Sequence, residues 1–66
     1  MTTIQLSSKW RHKLAELPES GMGYQLVDVD LQDGRVLSGL MVFNCEECQS
    51  EVSFDPNDIV DIRLHQ

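Results

Sequence analysis

The chain has little of most things that commit a protein to a chemistry. No apolar run approaches the roughly twenty residues that a membrane-crossing helix needs, so no membrane contact is expected. Bases are scarce: five Lys and Arg stand against eleven Asp and Glu, for a formal net charge of −6. Nucleic acid is held largely by cations on its phosphates, so this balance argues against a nucleic-acid partner. Only two cysteines are present, and in a reducing compartment they are not expected to form a structural disulfide. The opening MTTIQLSSKW has neither the charged start nor the apolar stretch of a secretory signal, and the expected location is cytoplasmic. No nucleophile–histidine pattern and no paired glycosidase-like carboxylates are legible, and the chain has hardly the volume for a pocket. No catalytic residue is therefore assigned; neither enzymatic activity nor a cofactor is expected.

The 66 residues make one domain, 1–66, with room for a single small core. A chain this short buries only about 60% of the surface its unfolded form exposes. Partner subunits often make up that deficit, so a homo-oligomer or a protein partner is expected.

What is present is a hairpin. Tyr24 to Phe43, YQLVDVDLQDGRVLSGLMVF, sets two aliphatic runs around Asp33-Gly34, a dipeptide suited to a two-residue turn with positive φ at both positions. That turn predicts the cross-strand pairs Leu31–Val36, Val29–Ser38, Val27–Leu40 and Gln25–Val42 on one face. On the other it predicts Asp30–Leu37, Asp28–Gly39, Leu26–Met41 and Tyr24–Phe43. The second face is acidic near the turn and apolar at the base, so it should be wet at the tip and covered at the base. Gly39 offers a place for a sharp bend.

Around the hairpin, residues 1–6 read as a tail and 7–17 as a helix. Ser7 or Ser8 supplies a capping hydroxyl, Trp10, Leu14 and Leu17 form the apolar stripe with Leu6 as a possible fourth member, and Pro18 is the stop. Glu51–Phe54 reads as a short strand with Val52 and Phe54 on one face. Asp55–Asp58 is a turn, and Ile59–Leu64 is a last strand with Val60, Ile62 and Leu64 facing one way. The expected fold is mainly β with one N-terminal helix: four or five strands, spanning 24–64, in a small, strongly bent antiparallel sheet or open barrel.

Few residues suggest a site. Cys45-x-x-Cys48 supplies two of the four ligands a structural zinc needs; His12 and His65, or a second protomer, would have to complete it. A redox pair is disfavoured by Glu46 and Glu47 between the thiols, and the remaining alternative is two incidental loop cysteines. Asp28, Asp30, Asp33 and Asp61 can gather on one side, as a cation or docking face or as a solvated surface. Lys9, Arg11, Lys13 and Arg35 are the cations a nucleic-acid-binding alternative would use. Trp10 is a stacking platform or, on its stripe of leucines, the plug that seals the helix onto the sheet. Leu26, Met41, Tyr24 and Phe43 at the hairpin base are candidates to meet a partner.

Two resemblances follow from these residues. Val27 to Phe43 resembles the first motif of Sm-like small barrels: Asp33, Gly34 and Gly39 match its pattern, as do Val27, Val29, Leu31, Leu40 and Val42, and Ile62-Arg63 is similar to its second motif. This implies a bent barrel of the Sm-like or Src-homology-3-like kind. It does not imply an RNA site, because Asn44-Cys45-Glu46-Glu47 stands where that family carries Asp and Met-Asn, and Leu64 stands where it carries Gly. Leu17 to Asn44 also resembles a group of short bacterial proteins with LPE[ST]GMGYQ followed by VxVxLxDGR. That resemblance implies a folded bacterial domain and directs attention to Met22, Tyr24 and Gln25. The function expected is a non-catalytic interaction or self-assembly module, against the alternatives of an Sm-like nucleic-acid binder or a zinc-stabilised domain.

Overall fold

The computed structural model describes residues 2–65. The strands are β1 (Thr2–Gln5), β2 (Tyr24–Leu31), β3 (Val36–Phe43), β4 (Glu47–Ser50) and β5 (Ile59–Leu64). One helix, α1 (Ser8–Ala15), follows β1, and a single 3-10 turn, Pro56–Asp58, leads into β5. All strands pair antiparallel in one sheet of order β1-β4-β3-β2-β5, which does not close, so β1 and β5 are its edges. The fold is thus mainly β with one helix near the N-terminus, as expected.

The alternation in YQLVDVDL turns Gln25, Val27, Val29 and Leu31 into the core and leaves Tyr24, Leu26, Asp28 and Asp30 on the other face. The turn that follows is one residue longer than a two-residue Asp33-Gly34 reversal. Leu31 N–H donates to Arg35 O at 2.9 Å and Gly34 N–H to Leu31 O at 3.0 Å, so Gln32, Asp33 and Gly34 form the loop. Of these three only Gly34 has a positive φ, 98°, as the last position of a three-residue hairpin loop requires. The longer loop slips the partners near the tip: Val29 faces Leu37 and Asp30 faces Val36. A bulge at Ser38-Gly39 then takes up one residue. Beyond it Val27–Leu40, Leu26–Met41, Gln25–Val42 and Tyr24–Phe43 pair as expected.

Gly39 is the residue that permits this. Its φ is 71°, and its N–H donates to Asp28 Oδ1 at 3.0 Å, so the strand opposite supplies the acceptor that the ladder no longer does. The bulge also reverses which β3 residues face inward near the tip. Leu37 packs against the core, and Val36, expected there, is 55% exposed.

Other expectations need correction. Thr2–Gln5 is not a tail but pairs with Glu47–Ser50 as an edge strand, and Leu6 N–H continues the ladder to Glu46 O at 2.8 Å. Ile4 and Leu6 are both buried, and burying that apolar pair holds an otherwise polar segment on the sheet. The strand expected at Glu51–Phe54 lies earlier, at Glu47–Ser50, with Cys48 and Ser50 inward; Phe54 is buried from a loop and Val52 is exposed. The hairpin between β3 and β4 is closed by Asn44 and Cys45, which both take left-handed φ of 55° and 60°. In β5 a bulge at Val60 lets Leu31 face Ile59 while Asp30 faces Asp61. Ile59 and Ile62 therefore enter the core and Val60 turns out, the reverse of simple alternation for the first two residues.

The helix is shorter than 7–17. Ser7 stands at its N-cap, but no side-chain cap forms; Ser7 O accepts from Trp10 and Arg11 N–H instead. Trp10 and Leu14 bury the apolar stripe against Val27, Val29, Val42 and Ile62 in one core cluster. Pro18 keeps Leu17 out of helical geometry, and Leu17 packs on the edge of that core.

Candidate functional site

The base of the hairpin carries apolar side chains on both faces. Inward lie Gln25, Val27 and Val42; outward, the cross-strand pairs Tyr24–Phe43 and Leu26–Met41 lie side by side. The Tyr24 and Phe43 rings are 6.4 Å apart at their centroids and tilted by 53°, within the range of favourable aromatic pairs. Leu26, Tyr24 and Phe43 are half-buried and Met41 is 37% exposed, so this face is only partly covered by its own chain. It continues into an open groove of about 690 Å³ along β3 and the Gln49–Val52 segment, lined among others by Leu37, Leu40, Met41, Phe43 and Val52. Val36 and Val52, both exposed, were not legible as members of this surface. Their direction is set by the bulge at Gly39 and by the end of β4, and among nearby residues only the glycine hints at either.

Met22 stands at the tip of the loop that enters β2 and is 99% exposed. Gln25, singled out with it as a partner-binding side chain, is instead 2% exposed and structural. Its Nε2 donates to Leu14 O at 2.9 Å, and lies 3.2 Å from Leu17 O and 3.4 Å from Pro18 O. These are carbonyls of the last turn of α1 and of the segment that follows it, and that of Leu14 also accepts from Leu17 N–H at 3.0 Å. The Cys45 thiol donates to Gln25 Oε1 at 3.8 Å. Gln25 thus ties helix to sheet and has no group left to offer a partner.

The cations expected to serve nucleic acid are mostly engaged by carboxylates. Arg11 Nη1 meets Glu46 Oε2 at 3.1 Å, Lys13 pairs with Asp61, and Arg35 Nε meets Asp33 Oδ2 at 2.8 Å. Arg63 Nη2 lies 2.5 Å from Asp30 Oδ1, and its Nη1 lies 3.8 Å from Asp28 Oδ2. Lys9 Nζ sits 4.8 Å from the centroid of the Trp10 ring. Trp10 is 5% exposed, so it seals the helix rather than offering a stacking platform.

The same pairs dissolve the acidic cluster. The contact of His65 Nδ1 with Asp28 Oδ1, at 2.8 Å, together with Gly39 N–H and Arg63, holds the Asp28 carboxyl below its usual range. The Lys13 ammonium does the same for Asp61, and the Arg35 backbone N–H, then its side chain, for Asp33. Asp30 in turn raises Arg63. Each of the four aspartates has a cation beside it.

Cys48 faces Ile4 and Val42 across the ladders and is fully buried, which pushes its thiol up to about 11. Cys45 lies in the turn. A thiol protonated at neutral pH is a poor metal ligand and a poor nucleophile, and among the described residues no three His, Cys, Asp or Glu side chains gather in a metal-holding arrangement. His65, one of two histidines that would complete a site, is engaged by Asp28. Among the described residues no helix is long and apolar enough to cross a membrane. Comparison with known proteins finds no matching family model, no matching curated protein and no matching solved structure.

Proposed function

We propose that this chain is a non-catalytic interaction module that docks on a protein surface, a second copy of itself included. The contact face is the outer side of the hairpin base, Tyr24, Leu26, Met41 and Phe43, with Met22 beside it. The observation that supports this is the two-sided apolar character of that base. The inner face is consumed by the core, and the outer face, with exposed Met41, Val36 and Val52 along one groove, is left only half covered. The small core adds to the case, since a domain of this size gains much from a partner. A cytoplasmic location belongs to the same proposal, as does the bacterial, Sm-like character of the module.

Size-exclusion chromatography with light scattering tests it. Wild type is expected to exceed the monomer mass at micromolar concentration or to co-elute with its partner. Met41→Glu, at an exposed position, should remain folded by circular dichroism and lose the association. A wild type that stays monomeric and captures nothing, or a Met41→Glu variant that behaves as wild type, overturns the reading. No observation favours nucleic acid as partner, with four of the five cations beside carboxylates. Titration of labelled single strands at low salt is expected to be flat, and elemental analysis to find no stoichiometric zinc.

A further inference from the structure

Met22 is an apolar side chain that the chain holds in water. It is 99% exposed, and the loop beneath it is tightly tied. Ser20 and Gly21 N–H both donate to Tyr24 O, at 3.0 and 3.3 Å. Gly23 N–H donates to Glu19 Oε2 at 3.0 Å, and Leu26 N–H to Ser20 Oγ at 2.8 Å. The Tyr24 ring lies so close to Gly21 that a Cβ there would fall 2.4 Å from its Cε1 and Cζ. The Tyr24 ring therefore lies against Gly21, where no side chain larger than hydrogen fits. Gly23, at φ 83°, has open space around it. The thioether is presented on a fixed stalk, between two glycines that shield it on neither side.

We infer that Met22 is a site of reversible oxidation by hydroperoxides, and that its sulfoxide state switches off the docking face; the second half rests on the function proposed above. A sulfur lone pair attacks one peroxide oxygen, the S–O bond forms as the O–O bond breaks, and two electrons pass from sulfur to the peroxide. The departing oxygen leaves as water from hydrogen peroxide, or as the alcohol from an organic peroxide. The product replaces a flexible apolar tip with a polar, chiral one, which no longer gains by leaving water. Met41, 37% exposed within a strand, offers its sulfur far less freely.

The test exposes the intact protein to dilute hydrogen peroxide, maps oxidation by peptide mass spectrometry, and follows association by light scattering in parallel. Met22 is expected to gain one oxygen several-fold faster than Met41, and methionine sulfoxide reductase should restore it. Association should fall with that first oxygen and return on reduction. Met22→Leu should keep associating under peroxide, and Met22→Gln should fail to associate without it. Met41 reacting as fast as Met22 overturns the modification site. An oxidised protein that associates normally overturns the switch. Wild type that is monomeric and captures no partner before any peroxide is added removes the docking reading and the switch with it, while the peptide map still decides the site.

Discussion

Replacing Gln25 by Leu removes the tie between helix and sheet while nearly conserving shape. The Gln25 amide carries two N–H donors and serves the Leu14 carbonyl at 2.9 Å, with Leu17 and Pro18 oxygens sharing the second. The Leu14 oxygen keeps the Leu17 N–H at 3.0 Å, so what is lost is the two amide hydrogen bonds, about 1–3 kcal/mol together. Against this the leucine gains about 1 kcal/mol of apolar burial, for a net loss of about 1 kcal/mol at the middle of that range. At about 0.05–0.15 kcal/mol per residue the whole domain has on the order of 3–10 kcal/mol, so the substitution removes roughly a tenth to a third of it. Thermal unfolding followed by far-ultraviolet circular dichroism and Trp10 fluorescence should place the midpoint roughly 4–8 °C lower. Gln25→Glu, which keeps the shape but points a charged acceptor at three carbonyls, should be worse still. A Gln25→Leu protein melting within roughly 3 °C of wild type would refute the idea that these hydrogen bonds hold α1 in place.

The remaining expectations concern the backbone, the ion pairs and the thiols. Gly39→Ala should destabilise by about 1–2 kcal/mol through its left-handed φ alone, because only His65 Cε1, at 4.0 Å, lies near the added methyl; an unchanged urea midpoint would discard the bulge argument. Gly21→Ala acts through space instead, and should displace the Tyr24 ring, read as altered ring shifts by NMR; unchanged shifts would count against that packing. The depressed carboxyls of Asp28 and Asp61 bind fewer protons folded than unfolded. Their stabilisation is therefore present above the ordinary carboxylate value of about 4 and lost as pH falls through the folded values. Partial exposure of Asp61 tempers its share. Melting midpoints should drop on acidification below about pH 4, and Asp28→Asn should flatten that slope; an equal slope in the variant would show that Asp28 is not responsible. Finally, a thiol reagent at neutral pH should label Cys45 in the native protein and reach Cys48 only on unfolding, since burial keeps the latter protonated. Equal labelling of both would contradict the buried position of β4.

The local pattern alone settled much of this molecule. Alternation in Tyr24–Leu31 required a half-buried strand, Asp33-Gly34 required a reversal, the Trp10–Leu14 stripe required a helix against a sheet, and Pro18 ended it. These are properties of nearest neighbours, which side-chain periodicity and backbone sterics carry in the sequence. Tertiary contacts decided the rest. Whether Val36 or Leu37 enters the core depends on two one-residue offsets, the longer loop and the bulge at Gly39, that cancel at the base and are invisible to a count of partners. Thr2–Gln5 becomes a strand only because β4 offers it an edge, and Gln25 becomes a cap only because α1 ends over it. Such pairings join residues distant in the chain, and their energies belong to the assembled fold, not to any stretch of it. The candidate docking face divides the same way: its residues were legible as apolar, but which of them reach water was fixed only when the sheet was built.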